Sequence, residues 1–257
     1  MAKKIIEFVD DKTLKKNRSI VQMSDEMTVF QRQSYNALLK VAQEQEINDK
    51  KKKTNSYKMS ISRLRTLLNL STETRKYEDI IKPLRELQRK QFVEIQTDTF
   101  ESIPLLYAFK ITKSTGTIEW KIDEKIRAKL LESDFFSLSL ETNSKFTSTY
   151  ALALYEQILR THHNKKKDFQ ELELTIKEFR EYMAIPKKQY KLYGHLKNRV
   201  ILPSITEINE HTDFYICAEE RKERLKVVGI CFHFAKVSKA QKDALMAKEK
   251  IIKESKK

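Results

Sequence analysis

The sequence predicts an α+β, mostly helical fold of two tandem winged-helix domains, each a helix-turn-helix followed by a β-hairpin wing. Two observations lead to this fold class. The pattern of apolar residues gives the same order of helix, loop, strand, helix, basic helix and hairpin near residues 27–113 and near residues 145–235. The two stretches also align without gaps at a constant offset of 115 residues. A repeat of element order and apolar position predicts two related domains.

Seven residue pairs agree at this offset in apolar character or in identity: Tyr35 and Tyr150, Met59 and Leu174, Ile61 and Ile176, Leu64 and Phe179, Arg65 and Arg180, Leu68 and Met183, and Leu70 and Ile185. The predicted organisation is an N-terminal arm over 1–24, winged-helix domain 1 over 25–132, a linker over 133–142, winged-helix domain 2 over 143–236 and a basic C-terminal tail over 237–257. We expect the arm to be loosely held and the tail to be frayed.

The elements follow from periodicity and turn residues. In domain 1 we expect helices over 27–47, 61–70 and 72–91, a short strand over 57–60, a hairpin of 92–98 with 105–112, and a strand over 117–122. Pro83 should kink or end its helix. A helical segment over 123–131 precedes the linker. Domain 2 should contain a helix over 149–161, a strand over 169–174, two helices separated at Pro186, and a hairpin of 212–219 with 225–235.

The stretch from Leu174 to Ile208 contains the candidate DNA-binding helix. A short helix, a break at Pro186 and a longer basic helix are typical of a helix-turn-helix, whose second helix enters the DNA major groove. No Asp or Glu occurs from Pro186 to Thr206, although the chain contains 36 acidic residues. A run of charge alone is also typical of a solvated surface helix. The missing acids and the paired helices favour nucleic-acid binding.

A helical wheel divides this predicted helix into two faces. The expected core face consists of Leu192, Tyr193, Leu196 and Val200. The candidate DNA-binding residues are Lys187, Tyr190, Lys191, Gly194 and Asn198 on the opposite face, Lys188, His195 and Lys197 on its flanks, and Arg199 at the end of the segment. Amines, an amide, a phenol and a bare glycine suit close approach to phosphates and base edges. The second domain is therefore expected to be the main reader of DNA.

The first copy and the wing supply further candidates. In the first copy, Asp79 and Glu86 share the face expected to meet DNA, so its role is limited to phosphate contacts or a protein contact surface. Those phosphate contacts would come from Arg75, Lys76 and Lys82. At the tip of the second wing, Arg221, Lys222 and Arg224 can reach phosphate or the minor groove. Glu219, Glu220 and Glu223 share that tip, so a simply water-facing turn is the alternative.

Composition limits the classes of function. A net charge of +15 implies an anionic partner, which is nucleic acid or an acidic membrane surface. The sequence lacks a membrane-spanning apolar run and a signal peptide, which predicts a cytoplasmic protein without a membrane partner. Three glycines and no nucleophile or HExxH motif argue against an enzyme, and no cofactor is expected. Cys217 and Cys231 are expected to be reduced thiols, and neither lies in a paired Cys/His spacing typical of zinc.

Three runs in the second half resemble a known family: TYALALYEQILR, LTIKEFREYMAIP and YGHLKNRVILPSITEINEHTDFYI. They are similar to the C-terminal winged helix of the replication initiator (Rep) proteins of theta-replicating plasmids, which bind iterons, short direct repeats of the origin. The element LKNRVILPSITEIN is the most distinctive, and the likeness covers most of residues 25–235. The resemblance implies a bacterial cytoplasmic protein that binds double-stranded origin DNA and recruits the host initiator and replicative helicase. Members of this family bind iterons as monomers, and many repress their own promoter as dimers joined through the first domain, so the resemblance leaves both the monomer and a homodimer through domain 1 open.

Two other functions remain open at this level. A winged-helix transcriptional regulator, for example an autorepressor, would share the DNA-binding physics without a role at an origin. A basic RNA-binding or structural protein would share the charge alone. The DNA flanking the gene would distinguish an initiator from these alternatives. An initiator requires several direct repeats of about 20 base pairs, each long enough for two modules on successive turns.

Overall fold

A computed structural model describes residues 12–21, 27–49, 54–70, 77–96, 99–162 and 169–254 of the 257-residue chain. The chain divides into two compact units, Met1–Thr149 and Tyr150–Lys257. Within the described ranges, no helix is both long and apolar enough to cross a lipid bilayer.

The first unit combines helices with short antiparallel strands. Its helices are α1 (Val29–Asn48), α2 (Ile61–Leu67), α3 (Tyr77–Leu87), α4 (Glu124–Lys129) and α5 (Leu140–Lys145), and a 3-10 turn covers Arg18–Val21. Its strands are β1 (Thr13–Asn17), β2 (Ser56–Ser60), β3 (Gln91–Gln96), β4 (Thr99–Pro104), β5 (Ala108–Thr112), β6 (Thr117–Lys121) and β7 (Phe135–Ser139). One sheet has the order β2-β6-β5, and β3 pairs with β4.

The hairpin predicted for 92–98 with 105–112 is wrong in its pairing. β3 pairs with β4, and β5 pairs with β6. Phe100 and Ile103 are separated by two polar residues, so apolar alternation does not mark β4 as a strand or as the partner of β3. Pro83 lies inside α3, which continues to Leu87, so this proline does not end the helix.

The expected loose arm and the expected linker pair with each other. β1, from the segment assigned to the arm, runs antiparallel to β7, from the segment assigned to the linker, and Leu14 faces Leu138 across the pair. Leu14 and Lys16 are buried. The arm prediction is therefore wrong for residues 13–17, and the linker prediction is wrong for residues 135–139. The sequence pattern does not predict the pairing of β1 with β7, because Lys16 of β1 is buried and a buried lysine requires a polar partner.

That partner lies on α1, a helix buried on nearly all sides. The Nζ of Lys16 donates to Oδ1 of Asn36 at 2.8 Å, and Nδ2 of Asn36 donates to Oδ1 of Asn143 at 3.1 Å. Gln43 donates to the carbonyl of Leu130 at 2.6 Å. A polar helix can be buried in this way because its side chains bind β1, α5 and the residue that ends α4.

Glu46 connects α1 to two other elements of the first unit. Its carboxylate accepts from the hydroxyl of Tyr57 at 2.8 Å and from Nε and NH2 of Arg127 at 2.9 and 3.1 Å. Burial, together with this carboxylate, raises the pKa of Tyr57. Glu46 thus joins β2 and α4 to the central helix.

The second unit contains the repeated order of elements. Its helices are α6 (Thr149–Thr161), α7 (Ile176–Tyr182), α8 (Tyr193–Leu196), a π-helical turn (Lys197–Ile201), α9 (Leu202–His211) and α10 (Lys239–Glu254). Its strands are β8 (Gln170–Thr175), β9 (Phe214–Glu223) and β10 (Lys226–Lys236), in the order β8-β10-β9. The segments α8, the π-helical turn and α9 are continuous, and we call them the 193–211 helix.

The C-terminal tail is not frayed over its described length. Residues Lys239–Glu254 form α10, and Lys242 is buried. Its ammonium donates to the carbonyl of Asn209 at 3.1 Å and to the carbonyl of Thr212. Burial lowers the pKa of Lys242. The prediction failed because the anchoring residue is a lysine, which the sequence marks as solvent-facing.

Aromatic packing joins the sheet of the second unit to α7, and one glycine allows two strands of that sheet to lie close together. Phe179 of α7 stacks on Phe232 of β10 with ring centroids 5.8 Å apart. A Cβ added at Gly229 would lie 2.9 Å from the carbonyl oxygen of Leu174. Glycine at this position therefore allows β10 to approach β8 beside the bulge between Val227 and Gly229.

The repeat with an offset of 115 residues is visible in backbone geometry at the ends of α2 and α7. Asn69 and Ala184 follow these helices with left-handed φ values of 52° and 49°. Each helix ends in a Schellman motif. The hydrogen bonds of the two motifs match pair by pair: Leu70 N–H to Arg65 O and Ile185 N–H to Arg180 O, both at 2.9 Å, and Asn69 N–H to Thr66 O and Ala184 N–H to Glu181 O, at 3.1 and 3.0 Å.

The contacts of Glu46 predict a large effect on stability. Glu46→Ala should lower the free energy of unfolding by about 3 kcal/mol, because the guanidinium of Arg127 and the hydroxyl of Tyr57 would lose their buried partner. Urea denaturation monitored by circular dichroism measures the change. The control is Glu78→Ala, which removes an exposed ion pair with Lys113 and should cost less than about 1 kcal/mol. Equal costs for the two variants would contradict the assigned role of Glu46.

Candidate nucleic-acid interface

The candidate DNA-binding segment begins as a loop. The predicted helix from Lys187 to Arg199 is wrong over residues 187–192, because the helix starts at Tyr193. Tyr190 has a left-handed φ of 46°, which no α-helix accommodates. The amide of Gln189 donates to the carbonyl of Pro186 at 3.0 Å and closes a turn. Only residues 193–199 of the predicted segment are helical.

The core face of the 193–211 helix agrees with the wheel in its centre and differs at its start. Leu196 and Val200 are buried as predicted, whereas Leu192 is 66% exposed. Leu192 is the N-cap of the helix and therefore lies outside its regular rotation. A π-helical turn follows at Lys197–Ile201, which widens the helix beside the residues that would meet DNA.

Arg180 of α7 shapes the loop between the two helices. Its NH2 donates to the carbonyl oxygens of Pro186 and Gln189 at 2.8 and 2.7 Å, and its NH1 donates to that of Tyr190 at 3.1 Å. Three carbonyls of one short loop thus converge on a single guanidinium, whose fixed fork suits this task. Sequence reasoning missed Arg180 as a functional residue. Its match to Arg65 in the repeat was the available signal.

Tyr190 does not have the position predicted for it. Its ring is half-buried and makes an edge-to-face contact with Tyr150 of α6, with centroids 6.3 Å apart. The left-handed backbone of Tyr190 turns its side chain toward α6, an orientation that a helical wheel cannot represent. Tyr190 therefore helps to hold the loop, and its prediction as an outward contact is wrong.

The remaining candidates of the segment are presented to solvent. Six side chains are exposed: Lys187, Lys188, Lys191, His195, Asn198 and Arg199. Gly194 is exposed too, and a Cβ added there would meet nothing within 4 Å. The space around Gly194 shows that the fold of the unit does not itself require glycine. We call these seven residues the cationic face.

Lys197 differs from its neighbours because an acid of the wing engages it. Its Nζ lies 2.7 Å from Oε1 of Glu220, and the ammonium of Lys222 lies 3.3 Å from Oε2 of the same residue. The hydrogen bond from Lys197 is the main reason that the pKa of Glu220 is lowered. Tyr193 also binds Glu220, and burial with this neighbouring charge raises its pKa to about 12. The first turns of the 193–211 helix lack acids, but the wing places Glu220 against them.

The other wing residues are divided between partners and solvent. NH2 of Arg221 on β9 lies 2.8 Å from Oε2 of Glu173 on β8, across the central strand β10. The hairpin turn is shorter than predicted, so Arg221 and Lys222 lie in β9, and Arg224 occupies the turn with a φ of 55°. Leu225 beside it is 100% exposed. Arg224 and Leu225 form the most projecting part of the wing.

The wing is fastened to the 193–211 helix through Asn209. The side chain of Asn209 donates to the carbonyl of Ile216 at 2.9 Å and accepts from its amide at 2.8 Å, both in a buried position. This double hydrogen bond pairs an amide side chain with the backbone of β9. The segment LKNRVILPSITEIN thus ends on the residue that sets the position of the wing.

The first unit offers a weaker interface. Lys82 is exposed on α3, whereas Arg75 and Lys76 lie outside the described residues. Nε2 of Gln31 donates to Glu86, so this acid is directed toward α1 and not toward the expected DNA-facing side. The predicted face of α3 is therefore wrong for Glu86. Asp79 is exposed on α3 as predicted.

The helix-turn-helix and hairpin of each unit define a protein with two tandem winged helices. Comparison with known families agrees: the description "Initiator Replication protein, WH1" matches residues 13–159, and "Initiator Rep protein, WH2" matches residues 175–234. The chain belongs to this family of replication initiator (Rep) proteins. The predicted fold class and the predicted family are confirmed.

Two relatives illustrate the likeness. A "Replication initiation protein" from Escherichia coli is 24% identical over 157 residues, which is 60% of this chain and 49% of the relative. The match thus spans about half the length of this curated relative. A crystal structure of the Pi initiator protein in complex with iteron DNA superposes with a TM-score of 0.66 at 14% identity, covering 90% of this chain and 100% of that chain. That superposition supports the fold.

Arg180 should control the order of the loop. In Arg180→Met, three carbonyls lose a charged donor, so the amide of Gln189 should exchange hydrogen at least tenfold faster, because each hydrogen bond to a charged group contributes about 1.5–3 kcal/mol. Hydrogen exchange followed by mass spectrometry or NMR measures this. Lys177→Met, an exposed change on the same helix, is the control and should leave the exchange of Gln189 unchanged. If the amide of Gln189 exchanges at the same rate in Arg180→Met, then Arg180 does not order the loop.

Proposed function

We propose that this protein initiates plasmid replication by binding directly repeated origin DNA sequence-specifically through its two winged helices, with the second unit as the main reader. Family membership supports a role in initiation, and the relative solved with iteron DNA supports repeats as the target. The observation that carries the proposal is the cationic face itself. Its lysines and its arginine are exposed, and they lie within the residues matched by WH2. The segment that carries them contains no Asp or Glu from Pro186 to Thr206.

The cationic face separates into two kinds of contact. Lys187, Lys188 and Lys191 lie on the braced loop, where flexible amines suit phosphate oxygens. His195, Asn198 and Arg199 lie on the first two turns of the 193–211 helix, the part that contacts base edges in a helix-turn-helix. Asn can bind adenine and Arg can bind guanine through paired hydrogen bonds. Affinity should therefore come mostly from the loop, and sequence preference from the helix.

The proposal also covers the location and the partners of the protein. We place it in the bacterial cytoplasm, acting by binding and without catalysis, with no cofactor. Its partners would be origin DNA, the host initiator and the replicative helicase, and a homodimer would form through the first unit. The family resemblance supports these partners. A role as a regulator that represses its own promoter would use the same DNA-binding surface.

Binding to the repeats is the first test. Fluorescence anisotropy should show that the purified chain binds a duplex of the plasmid's direct repeat at least 10³-fold more tightly than a scrambled duplex of equal length at physiological salt. Double-stranded RNA should not compete at equal concentration. Equal affinity for every duplex, or equal competition by RNA, would refute sequence-specific initiation. Loss of plasmid maintenance on deletion of the gene separates an initiator from a regulator.

Lys191→Ala is expected to weaken binding to specific and scrambled DNA by similar factors. Removal of one phosphate contact should also reduce the slope of log affinity against log salt by about 1. Lys248→Ala, an exposed lysine of α10, is the matched control and should change neither quantity. Asn198→Ala should instead weaken binding to the cognate repeat alone, with a cost of about 1–3 kcal/mol at one base position. An unchanged salt slope in Lys191→Ala would place this lysine away from phosphate.

Gly194→Ala separates DNA approach from folding. Alanine fits the space and favours a helix, so the variant should be more stable by up to about 1 kcal/mol. If DNA approaches the backbone at Gly194, the added methyl group should nevertheless reduce affinity about tenfold, the loss of one good contact. Thermal unfolding and anisotropy measure the two effects on one sample. Increased stability with unchanged affinity would show that DNA does not approach this residue closely.

A further inference from the structure

The sheet of the second unit brings together side chains that are distant in sequence. Cys231 and His233 lie two residues apart on β10 and therefore point to the same face. His233 pairs in register with Glu171 of β8, and Cys231 pairs with Glu219 of β9. The intervening Phe232 and its neighbours Ile230 and Phe234 are buried. The thiol, the imidazole and two carboxylates thus share the face opposite these core residues.

Distances within this cluster suit a metal ion. One ligand atom each of Glu171, Cys231 and His233 can be chosen so that all three lie within 4.8 Å of one another. A tetrahedral zinc ion with bonds of about 2.0–2.3 Å separates its ligand atoms by about 3.3–3.8 Å, so adjustments of about 1 Å complete the site. Sequence spacing missed this set because Glu171 comes from another strand.

His233 is held in a way that favours coordination. Its Nδ1 lies 3.3 Å from Oε1 of Glu171, and its Nε2 lies 3.6 Å from Oε2 of Glu219. Histidine ligands commonly donate their second ring N–H to a carboxylate, which fixes the ring and makes the ligating nitrogen more basic. Glu219 lies on the side of Nε2, just beyond hydrogen-bond distance, where it could take this orienting role, while Glu171 lies on the side of Nδ1.

The electrostatic environment favours a cation. Burial raises the pKa of the Cys231 thiol, and the nearby carboxylates of Glu171, Glu173 and Glu219 raise it further, against an opposing effect of Arg221. A divalent cation would offset these acids and stabilise the thiolate. A thiolate among the ligands selects a thiophilic ion over magnesium or calcium.

We propose that Cys231, His233 and Glu171 bind a divalent cation of the zinc class on the sheet of the second unit, with Glu219 orienting His233 and water in the fourth position. The ion would connect β8 to β10 and so stabilise the wing sheet. This proposal does not depend on the proposed role in replication, because the site consists of residues outside the cationic face. Binding is therefore tested without DNA.

Cobalt(II) is the probe, added to the full-length, reduced and metal-free protein. We expect one equivalent to produce visible bands typical of tetrahedral cobalt and a near-ultraviolet thiolate-to-cobalt band, both reversed by zinc. Cys231→Ser should abolish the near-ultraviolet band, and Cys217→Ser, the matched control, should retain it. Glu171→Gln changes an exposed side chain, so it is expected to fold, and should weaken binding at least tenfold. Glu219→Gln should keep the thiolate band with about 10–100-fold weaker binding.

A second readout is thermal stability. Zinc at 100 times its dissociation constant should raise the free energy of unfolding of the metal-free protein by about 2.7 kcal/mol, with no effect on Glu171→Gln at the same concentration. Absence of a thiolate band at one equivalent would overturn the proposal. Retention of the band in Cys231→Ser, or its loss in Cys217→Ser, would also overturn it, because the ion would then bind elsewhere.

Discussion

The three hydrogen bonds from the guanidinium of Arg180 determine the shape of the surface that would meet DNA. Without them, residues 186–190 would expose three carbonyls to solvent and sample many conformations. With them, the loop is fixed to α7, whose Phe179 is stacked in the core of the second unit. Lys187, Lys188 and Lys191 therefore stand on an ordered backbone, and binding a duplex would cost side-chain entropy but little backbone entropy.

The duplication of the domain explains why Arg180 lies where it can bind the loop after α7. α2 and α7 start at a Ser60 or Thr175 cap and end in matching Schellman motifs, so the chain leaves both helices in the same direction. The position of Arg180 is thus inherited from a shared helix, and Arg65 holds the equivalent position in the first unit. What differs is the next element: α3 carries exposed acids, whereas the first turns of the 193–211 helix carry none. One backbone plan supports two different surface charges.

Periodicity alone was sufficient for most of the fold. The helix predicted over 149–161 and the strands beside α2 and α7 agree with the structure because their apolar spacing matches their burial. Three of the failures share a cause. Lys16 and Lys242 are buried lysines with specific oxygen partners, and Tyr190 has a left-handed backbone, so in each case tertiary contacts override the residue type. The sequence thus identified the cationic face, but the predicted helix begins at Lys187, six residues before its observed start at Tyr193.

The contact between Lys197 and Glu220 changes how the charge of the second unit should be counted. Glu220 would repel phosphate, yet Lys197 and Lys222 both lie within 3.3 Å of it, and its lowered pKa shows that they stabilise its ionised form. The charges of those two lysines are therefore partly neutralised by Glu220, and they attract DNA less than the exposed amines of the loop do. In return, they join the helix to β9 at the position where Asn209 also holds it. The helix and the wing are thus joined at two positions, so a duplex that fits the helix constrains where Arg224 and Leu225 reach.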